Sequence, residues 1–553
     1  MILEYKIDYR SDLQIFQKIF LKLIEQYSLN GKIIKDDFIL KCYIQIENSE
    51  DFENFSKDFA KKLPNSIFLY QTEVNVIEEM PTGECKLLEN SLEAPFCLDC
   101  LESITDKNSK NYYNIFTQCD LCGYHIDGEH KNYKDIFQTM ASSIKDGYNF
   151  KINTFYGTYN IGQITQDSEK FDFDIVAYDY ATISKYTNAK DYELKALASF
   201  EKPFIRLNTN LKFKIDISEL KRELYRFKLA DDFILHLLMN ELHLVGVDML
   251  FITKDDIEVK DFINLVDPKE LEPIEVVASS SHIAFVKGDR SLPKFSNNSV
   301  KTIPSVGAIY SIIKEHDLDK KYTNMVGVYL SKTRQNTILL HGEKFGTVNF
   351  LLLEFELNSI KNIFDNIINT NDTGKKLIEN YKNKFSTLYE YIVNIKFNKG
   401  RLNIYELWGV LSMILGFSDI DSIEENAKIL EENTLLFLGD RGPRIDYKLI
   451  QKDKLTTIDP LMIVRSAISF KLAGIDTLTL SYGIVESFVE FISNEIDTLQ
   501  ENMGTEAVLF AGSLLQNNKL FAKLVQETSS NHKIYFNNQL LVDDTNLFYV
   551  DKL

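Results

Sequence analysis

Four of the six cysteines in this 553-residue chain lie within one short stretch. They form two Cys-x-x-Cys pairs, Cys97 with Cys100 and Cys119 with Cys122, separated by eighteen residues. Thiolates spaced in this way can close a tetrahedral site around one Zn²⁺ ion, whereas an accidental cluster of thiols would not show the paired spacing. Four sulfur ligands leave no open coordination position for catalysis, so the spacing predicts a structural zinc site.

Two histidines and two further cysteines are the remaining candidates for metal or thiol chemistry. His125 and His130 follow the second pair closely and are alternatives for one ligand, although surface loop residues are the simpler interpretation. Cys42 is predicted on a strand face and Cys85 in a loop, and neither has a partner that the sequence identifies.

The residues around the four cysteines resemble the first zinc finger of HypF, the carbamoyltransferase family of [NiFe]-hydrogenase maturation. The shared positions are the CL-x-x-I-x-D run that begins at Cys100, the pair Tyr112 and Tyr113, Phe116 and Gly123. HypF proteins normally carry a second such finger, whereas this chain has no cysteine after Cys122. The resemblance therefore implies a shortened and degenerate relative.

Composition limits the class of protein. The chain has 62 basic and 81 acidic side chains and a net charge of −19, and its length indicates several domains. An acidic surface repels phosphate backbones, so we do not expect a nucleic-acid partner. The amino terminus lacks the pattern of a signal peptide, and no apolar run reaches membrane-spanning length. We therefore predict a cytoplasmic protein without a membrane span, in a reducing compartment that suits zinc-bound thiolates.

Residues 1–80 are predicted to form a ferredoxin-like sandwich with the element order β-α-β-β-α-β. Leu40, Cys42 and Ile44 alternate with polar residues as in a half-buried strand, and Phe52, Phe55 and Phe59 recur at helical spacing. HypF begins with a domain of this kind, which is acylphosphatase-like. Residues 81–136 follow as the zinc-finger region.

The first turn of that domain lacks what acyl-phosphate chemistry requires. The family has a glycine-containing phosphate loop with a catalytic arginine there, whereas this chain reads Tyr9-Arg10-Ser11-Asp12. Phosphate loops use backbone donors that glycine frees. Arg10 is interpreted either as an anion contact or, more simply, as an exposed loop arginine, and we do not expect hydrolysis by this domain.

Residues 137–300 resemble the YrdC-like domain of the family. The similar segments are Gly157–Gly162, Lys202-Pro203-Phe204 and Ile283–Arg290. The basic loop that would hold nucleotide phosphates is replaced by Leu194–Glu201, which contains a single lysine. Phosphate binding requires dense positive charge, so we do not expect adenylate formation.

Residues 301–553 resemble the actin-like, ASKHA-type carbamoyltransferase domain of HypF. Leu407–Glu431 is similar to a helix pair of the family, and Leu509–Asn517 to its strand-turn-helix motif SGGVFQN. The resemblance implies a vestigial nucleotide or phosphate site, whose candidate residues are Gly512, Ser513, Gln516, Asn517 and Asp544. A glycine turn before a helix can hold phosphate, but Ala511 and Ser513 stand where the family has Ser and a second Gly. The family's His-x-x-x-His metal pair is absent from the eight histidines.

The fold class predicted from these segments is a multidomain α+β and α/β protein. It combines an acylphosphatase-like ferredoxin fold, a Cys₄ zinc finger, a YrdC-like domain and an ASKHA-type domain. Because three successive sites lack the groups that carbamoyl transfer requires, we predict a pseudoenzyme without catalytic residues. It would act as an accessory or assembly factor in [NiFe]-hydrogenase maturation, with hydrogenase subunits or maturation proteins as partners. Two alternatives stay open: an active ATP-dependent carbamoyltransferase that supplies the hydrogenase cyanide ligands, and a zinc-containing interaction module of another pathway.

Overall fold

The chain forms two compact units in a computed structural model. The described residues are 1–11, 13–36, 38–83, 95–119, 121–290, 292, 303–397, 400–452, 455–538 and 540–542. The first unit contains Met1–Val276 and a short segment that begins at Lys287. The second contains Val277–Val286 and the chain from residue 303 onward. In the described part of the chain, no helix combines the length and apolar character that crossing a membrane requires.

The first unit begins with a four-stranded antiparallel sheet and two helices. These elements are β1 (Ile2–Tyr9), α1 (Ile15–Gln26), β2 (Asn30–Asp36), β3 (Ile39–Gln45), α2 (Ser49–Lys62) and β4 (Leu69–Ile77). The strand order β2-β3-β1-β4 is that of a ferredoxin-like sandwich. Phe20 of α1 packs against Phe55 and Phe59 of α2 with ring centroids 5.8 and 5.7 Å apart, because the helical spacing of the aromatic residues turns them toward one core.

One helix lies within the cysteine segment and a second helix follows it. These are α3 (Leu98–Thr105), which contains Cys100, and α4 (Lys134–Lys145), and irregular loops join them.

A mixed seven-stranded sheet forms the rest of the first unit. Its strands are β5 (Phe150–Asn153), β6 (Thr158–Gly162), β7 (Asp174–Ala177), β8 (Ile205–Asn208), β9 (Leu224–Leu229), β10 (Met249–Thr253) and β11 (Asp261–Ile263), in the order β11-β5-β6-β10-β7-β9-β8. Its helices are α5 (Tyr180–Tyr186), α6 (Asp191–Leu197), α7 (Leu211–Asp216) and α8 (Phe233–Leu244). Helix α8 is apolar on most of its surface and packs against α4, so it is a buried helix.

The strands β12 (Glu275–Ala278) and β13 (Ile283–Lys287) then pair as a separate two-stranded sheet.

The second unit contains a five-stranded mixed sheet surrounded by helices. The sheet strands are β14 (Asn324–Tyr329), β15 (Thr337–Gly342), β16 (Gly346–Leu352), β21 (Ala507–Ala511) and β22 (Lys533–Tyr535), in the order β16-β15-β14-β21-β22. The three early strands are antiparallel, whereas β21 runs parallel to β14 and to β22. Two small hairpin sheets consist of β17 (Glu354–Phe355) with β18 (Leu402–Asn403) and β19 (Leu449–Lys452) with β20 (Leu455–Ile458).

Nine helices complete the described part of the second unit. They are α9 (Pro304–Glu315), α10 (Ile360–Thr370), α11 (Asp372–Lys384), α12 (Ser386–Ile392), α13 (Ile404–Leu415), α14 (Ile423–Leu436), α15 (Pro460–Leu472), α16 (Thr477–Met503) and α17 (Asn518–Ser529). Helix α13 begins at a capping box in which Asn403 and Glu406 bond reciprocally, and it ends at Gly416 in the left-handed conformation. Trp408 of α13 is fully buried at the centre of the core.

The predicted fold class is confirmed, because both the ferredoxin-like order and the five-stranded mixed sheet are present. The boundaries at residues 80, 136 and 300 stay predictions. The boundary predicted at residue 300 lies outside the described residues.

Candidate functional site

The four cysteines of the two pairs come together in the first unit. Their Sγ atoms all lie within 4.8 Å of one another. The Sγ distances are 3.7 Å from Cys97 to Cys100, 3.8 Å from Cys97 to Cys119 and 3.4 Å from Cys100 to Cys122. Four sulfurs at a Zn–S distance of about 2.3 Å stand about 3.8 Å apart at the corners of a tetrahedron. The donor set and its spacing therefore fit a single thiophilic metal ion.

Local backbone geometry directs the sulfurs to one point. Cys97 is the N-cap of α3, so Cys100 lies one turn further along the same helix. In the second pair, Cys119 N donates to Tyr124 O and Gly123 N donates to Cys119 O, both at 2.9 Å. Gly123 has a φ of 78°, a conformation that residues with a Cβ rarely adopt. This requirement explains the glycine directly after the fourth cysteine.

The thiols are electrostatically coupled even before a metal is considered. Hydrogen bonds from Cys100 and Cys122 hold the pKa of Cys119 well below its ordinary value. A thiolate is the form that binds a metal.

Neither nearby histidine belongs to the sulfur cluster. His125 Nε2 lies 2.9 Å from Asp127 Oδ1, and His130 Nδ1 lies 3.1 Å from Asn114 Nδ2. Cys42 is fully buried on β3, in agreement with the strand-face prediction, and Cys85 lies outside the described residues.

The cysteine segment is packed against helix α8. Phe96, next to the first ligand, stacks on Phe233 with ring centroids 5.4 Å apart. Tyr124 OH accepts a hydrogen bond from Phe233 N at 3.4 Å, and Tyr113 OH donates to Glu241. The segment is thus joined to both ends of α8, so a metal in the cluster would also hold this helix in place.

The glycine turn near the carboxy terminus differs in one detail from the predicted strand-turn-helix motif. Gly512 has a φ of 108°, but the next residues, Ser513–Gln516, form a 3₁₀ turn, and α17 begins only at Asn518. Asn517 Oδ1 caps α17 by accepting from Leu520 N at 3.0 Å. The predicted order of strand, glycine turn and helix is thus present, with one 3₁₀ turn between Gly512 and the start of α17.

The other residues of the predicted phosphate site differ in exposure, and the site stays a prediction. Ser513 and Asn517 are buried, and Gln516 is half-buried. The Nδ2 atom of Asn517 has no hydrogen-bond partner within the described residues. Asp544 lies outside the described residues.

The glycine turn is closed by the loop that follows β14. Ser513 Oγ accepts from Lys332 N at 2.9 Å, and Leu514 N donates to Leu330 O at 2.9 Å. A Cβ added at Gly512 would lie 2.2 Å from Leu330 O, so the two backbones are in direct contact. Two backbone donors of this turn, Gly512 N and Leu514 N, are already bonded within the protein.

The one lysine of this loop is also engaged. Lys332 Nζ lies 2.8 Å from both carboxylate oxygens of Glu431, which is almost completely buried on α14. Tyr405 OH donates to the same carboxylate at 3.1 Å, and burial raises the pKa of Tyr405. This buried, hydrogen-bonded pair neutralises the cation that lies beside the glycine turn.

Arg10 in the first turn of the ferredoxin-like sheet is not an exposed loop arginine, as the simpler interpretation predicted. Only 7% of its surface is accessible. Its Nε and Nη2 atoms donate to the two oxygens of Asp8 at 2.6 and 2.8 Å, and its guanidinium lies over the Tyr70 ring. The interpretation failed because the turn folds back onto the edge of the sheet, where Asp8 supplies the counter-charge.

The YrdC-like segment contains a buried charge cluster that sequence reasoning missed. Asp231 pairs with Lys228 at 2.7 Å and with Arg290 at 2.6 Å, and all three side chains are at most 2% exposed. Burial raises the pKa of the adjacent Asp232 to about 6. Lys202, in the Lys-Pro-Phe segment, donates to the carbonyls of Ala198 and Ser199, and burial lowers its pKa to about 8. These charges are structural, because each has a partner inside the same fold.

Some of these pairings carried a sequence signal and others did not. Asp8 lies near the end of β1 and Arg10 directly follows the strand, two residues on; in extended chain this spacing places side chains on one face, so it could have predicted the pair. Lys332 and Glu431 are far apart in sequence, so no local pattern connects them.

Comparison with known proteins agrees with this architecture. No protein-family model matches the chain. Protein HydE of Wolinella succinogenes is 24% identical over 515 residues, which cover 89% of this chain and 90% of that protein. A crystal structure of full-length HypF in a phosphate- and nucleotide-bound form matches with a TM-score of 0.64 and 14% identity over 99% of this chain and 97% of that one. The structure of T. kodakarensis HypF matches with a TM-score of 0.65 and 11% identity, over 98% and 97% of the two chains. The predicted HypF-like architecture is therefore confirmed over almost the whole chain.

Proposed function

We propose that this protein is an accessory or assembly factor in [NiFe]-hydrogenase maturation, with the fold of HypF but without its carbamoyl-transfer chemistry. The likeness to two HypF structures and to Protein HydE supports a place in this process. The loops that would bind anions have cations and backbone groups that are already bonded within the protein, and this supports the loss of catalysis.

The closed glycine turn is the observation that carries the proposal. A nucleotide phosphate at Gly512 would have to break the hydrogen bonds that Ser513 and Leu514 make to the loop after β14. It would also lose the help of Lys332, whose ammonium is held by Glu431. Breaking a buried pair leaves an uncompensated charge and costs about 3–5 kcal/mol. Phosphate binding at this turn is thus opposed by existing interactions.

Two further features point in the same direction. Asp8 occupies the guanidinium of Arg10, the one candidate for anion binding in the first turn. The full sequence also lacks the His-x-x-x-His pair that holds the nucleotide metal in the family. These features support the loss of anion binding at two of the inherited sites, the first turn of the ferredoxin-like sheet and the glycine turn of the second unit.

We infer that the four-cysteine cluster binds one Zn²⁺ ion with a structural role. Zinc with four thiolates has no open position for a substrate. Its contribution would be to fix Phe96 and Tyr124 against the start of α8, and so to keep the first unit in the form that a partner recognises.

Calorimetry tests the loss of catalysis. Purified, zinc-loaded protein is titrated with ATP and with carbamoyl phosphate, and formation of AMP is followed in parallel. We expect no heat and no AMP. The variant Glu431→Gln releases Lys332 and serves as a probe: if it gains ATP binding, the ion pair was what excluded the ligand. ATP- and carbamoyl-phosphate-dependent AMP formation by the unmodified protein would refute the proposal.

Affinity purification from native cells tests the pathway. The tagged full-length protein should retain hydrogenase subunits or maturation proteins. An untagged strain controls for background. Recovery of an unrelated set of proteins instead would favour a zinc-containing interaction module of another pathway.

An active carbamoyltransferase is the second candidate, and one observation favours it. A cleft of about 190 Å³ on the seven-stranded sheet is lined by Arg226, Lys254 and Lys287 among others. Arg226 is bonded to Asp174 at 2.7 Å, and Lys287 to Glu272 at 2.7 Å, so much of this charge is already balanced. If AMP forms and Lys254→Gln abolishes it, the second candidate replaces the first.

A further inference from the structure

A large polar cleft lies beside the cysteine cluster in the first unit. It is bounded by two loops, residues 107–118 and 130–132, and has a volume of about 710 Å³, within the range of ligand-binding sites. We call it the lysine-amide cleft. It is separate from the sulfur cluster, although residues 117 and 118 directly precede Cys119.

The lysine-amide cleft is positively charged in a strongly acidic protein. Lys107, Lys110 and Lys131 line it, and among its described lining residues there is no carboxylate, whereas the whole chain carries a net charge of −19. Lys131 pairs with Glu129 at 2.5 Å, but both side chains are largely exposed, and such surface pairs are weak. Lys107 and Lys110 have no ion pair within the described residues. The cleft therefore attracts anions locally, at distances where salt does not yet screen the charges.

Side-chain amides line the rest of the cleft in fixed positions. Asn111 Nδ2 donates to Ser103 Oγ at 2.9 Å, and Asn132 Oδ1 accepts from Lys134 N at 2.8 Å. Each amide thus keeps one group for the cleft, the Oδ1 of Asn111 and the Nδ2 of Asn132. Thr117 is 4% exposed, and its hydroxyl has no hydrogen-bond partner in the described part of the chain. An acceptor, a donor and a hydroxyl held in this way match the alternating N–H and C=O groups of an extended peptide.

The cation type argues against a dedicated phosphate site. The described lining contains lysines but neither arginine nor glycine, so it lacks both the bidentate guanidinium fork and glycine-freed backbone donors. Lysine ammonium groups on flexible stems suit separate carboxylates that are spread along a chain. We propose that the lysine-amide cleft binds an acidic peptide segment of a partner protein. This inference depends on the cleft alone and not on the proposed function.

Fluorescence anisotropy with a labelled peptide tests the proposal. The probe is a peptide in which glutamate alternates with serine, and the control probe has glutamine in place of glutamate. Full-length, zinc-loaded protein should bind the acidic probe and not the neutral one. Binding should weaken as the salt concentration rises, because the contacts are between exposed charges.

Matched charge variants assign the binding to the cleft. Lys107→Gln combined with Lys110→Gln should weaken binding about tenfold, since each exposed charge contributes up to about 1 kcal/mol. The control combines Lys22→Gln with Lys61→Gln, which replace two exposed lysines on α1 and α2. This double substitution changes the net charge by the same amount. It should bind like the unmodified protein. Unchanged zinc content shows that both variants keep the folded finger.

Three outcomes would overturn the proposal. The first is equal loss of binding in the control variant, which would indicate a nonspecific effect of net charge. The second is equal binding of the neutral probe. The third is displacement of the acidic probe by inorganic phosphate that is added at the same total negative charge as the peptide. This result would identify a site for small anions instead. Loss of binding in the cleft variant alone, with salt dependence and no phosphate competition, would support it.

Discussion

At the scale of single residues, two cations at the predicted anion sites are bound by carboxylates of the same chain. Arg10 pairs with Asp8, and Lys332 pairs with Glu431. These pairs are buried or half-buried, so the charged groups lose their contacts with water and are held by fixed contacts within the protein instead. The same residue types that suggest anion chemistry in a sequence thus serve the stability of the fold.

Asp8→Asn should destabilise the first unit. The substitution removes the Asp8 carboxylate from the buried guanidinium of Arg10, and we expect the free energy of unfolding to fall by about 3 kcal/mol. Urea denaturation measures this change. The control Glu53→Gln removes the ion pair with Lys57, in which both side chains are 68% exposed, and should cost less than about 0.5 kcal/mol. Equal effects of the two substitutions would contradict the role assigned to burial.

The stability of the first unit should fall in mild acid because of His236. Burial, with a smaller effect of Lys202, lowers the pKa of His236 from 6.5 to about 4. Between these two pKa values the unfolded chain binds a proton at His236 and the folded chain does not. The contribution of neutral His236 to the free energy of unfolding is therefore complete above pH 6.5 and is lost as the pH falls toward 4. Between pH 7 and 5.5 the loss is about 1 kcal/mol.

The variant His236→Gln isolates this group. Its free energy of unfolding in urea should depend less on pH over that interval than that of the unmodified protein. The control is His130→Gln, which replaces an exposed histidine and should leave the pH dependence as it is. If His236→Gln retains the full pH dependence, the titrating group lies elsewhere.

At the scale of elements, one backbone contact closes the inherited phosphate turn. Strands β14 and β21 are parallel neighbours, so the loops at their ends meet at one edge of the sheet. In this protein the meeting is direct: Leu330 O faces Gly512 with no room for a Cβ. Glycine is retained here for packing between the two loops, and this is a sufficient reason without a ligand.

Gly512→Ala should therefore be strongly destabilising. It adds a Cβ at 2.2 Å from Leu330 O and forces alanine to a φ of 108°. We expect a loss of about 4 kcal/mol or more. Gly504→Ala is the matched control: its φ is 62°, and a Cβ there meets nothing within 4 Å. It should cost about 1 kcal/mol. Thermal unfolding of the two variants measures the difference, and similar midpoints would show that the loops can separate easily.

At the scale of the whole molecule, the first unit unites segments that the sequence divides into three domains. Glu201, next to the seven-stranded sheet, accepts hydrogen bonds from Ser66 Oγ at 2.6 Å and from Ile67 N at 3.0 Å, beside β4. The cysteine segment is joined to α8 by Tyr113 and Tyr124. A metal bound by the four cysteines would therefore stabilise more than the loop that contains them.

Removal of the metal should loosen a large part of the first unit. We expect about one zinc per chain, with a binding free energy on the order of 10 kcal/mol that is also folding free energy. Chelation should increase amide hydrogen exchange in residues 95–125 and in α8, and leave α16 in the second unit unchanged. Cys100→Ser should reproduce this effect and lose the zinc.

Cys42→Ser is the control for the metal experiment, because Cys42 is a buried thiol outside the cluster. It should keep its zinc. Retention of a full zinc equivalent by Cys100→Ser would contradict the assignment of the ligands.

The sequence by itself determined the features that depend on local spacing. The two Cys-x-x-Cys pairs predicted the sulfur cluster, and the periodicity of Phe52, Phe55 and Phe59 predicted α2. These patterns are reliable because residues a few positions apart must lie close together in any regular element. The order of such elements predicted the ferredoxin-like sandwich, whereas the rest of the fold class was predicted from the resemblance to HypF.

The tertiary structure alone decided which charged and glycine residues remain available. It buried Arg10 against Asp8 and brought Lys332 to Glu431, and it closed the turn at Gly512 with a loop that is distant in sequence. Such contacts depend on how loops and helices pack in the folded chain. The spacing of residues in the sequence does not predict them. For the same reason, only the folded chain gathers Lys107, Lys110 and Lys131 on the walls of one cleft.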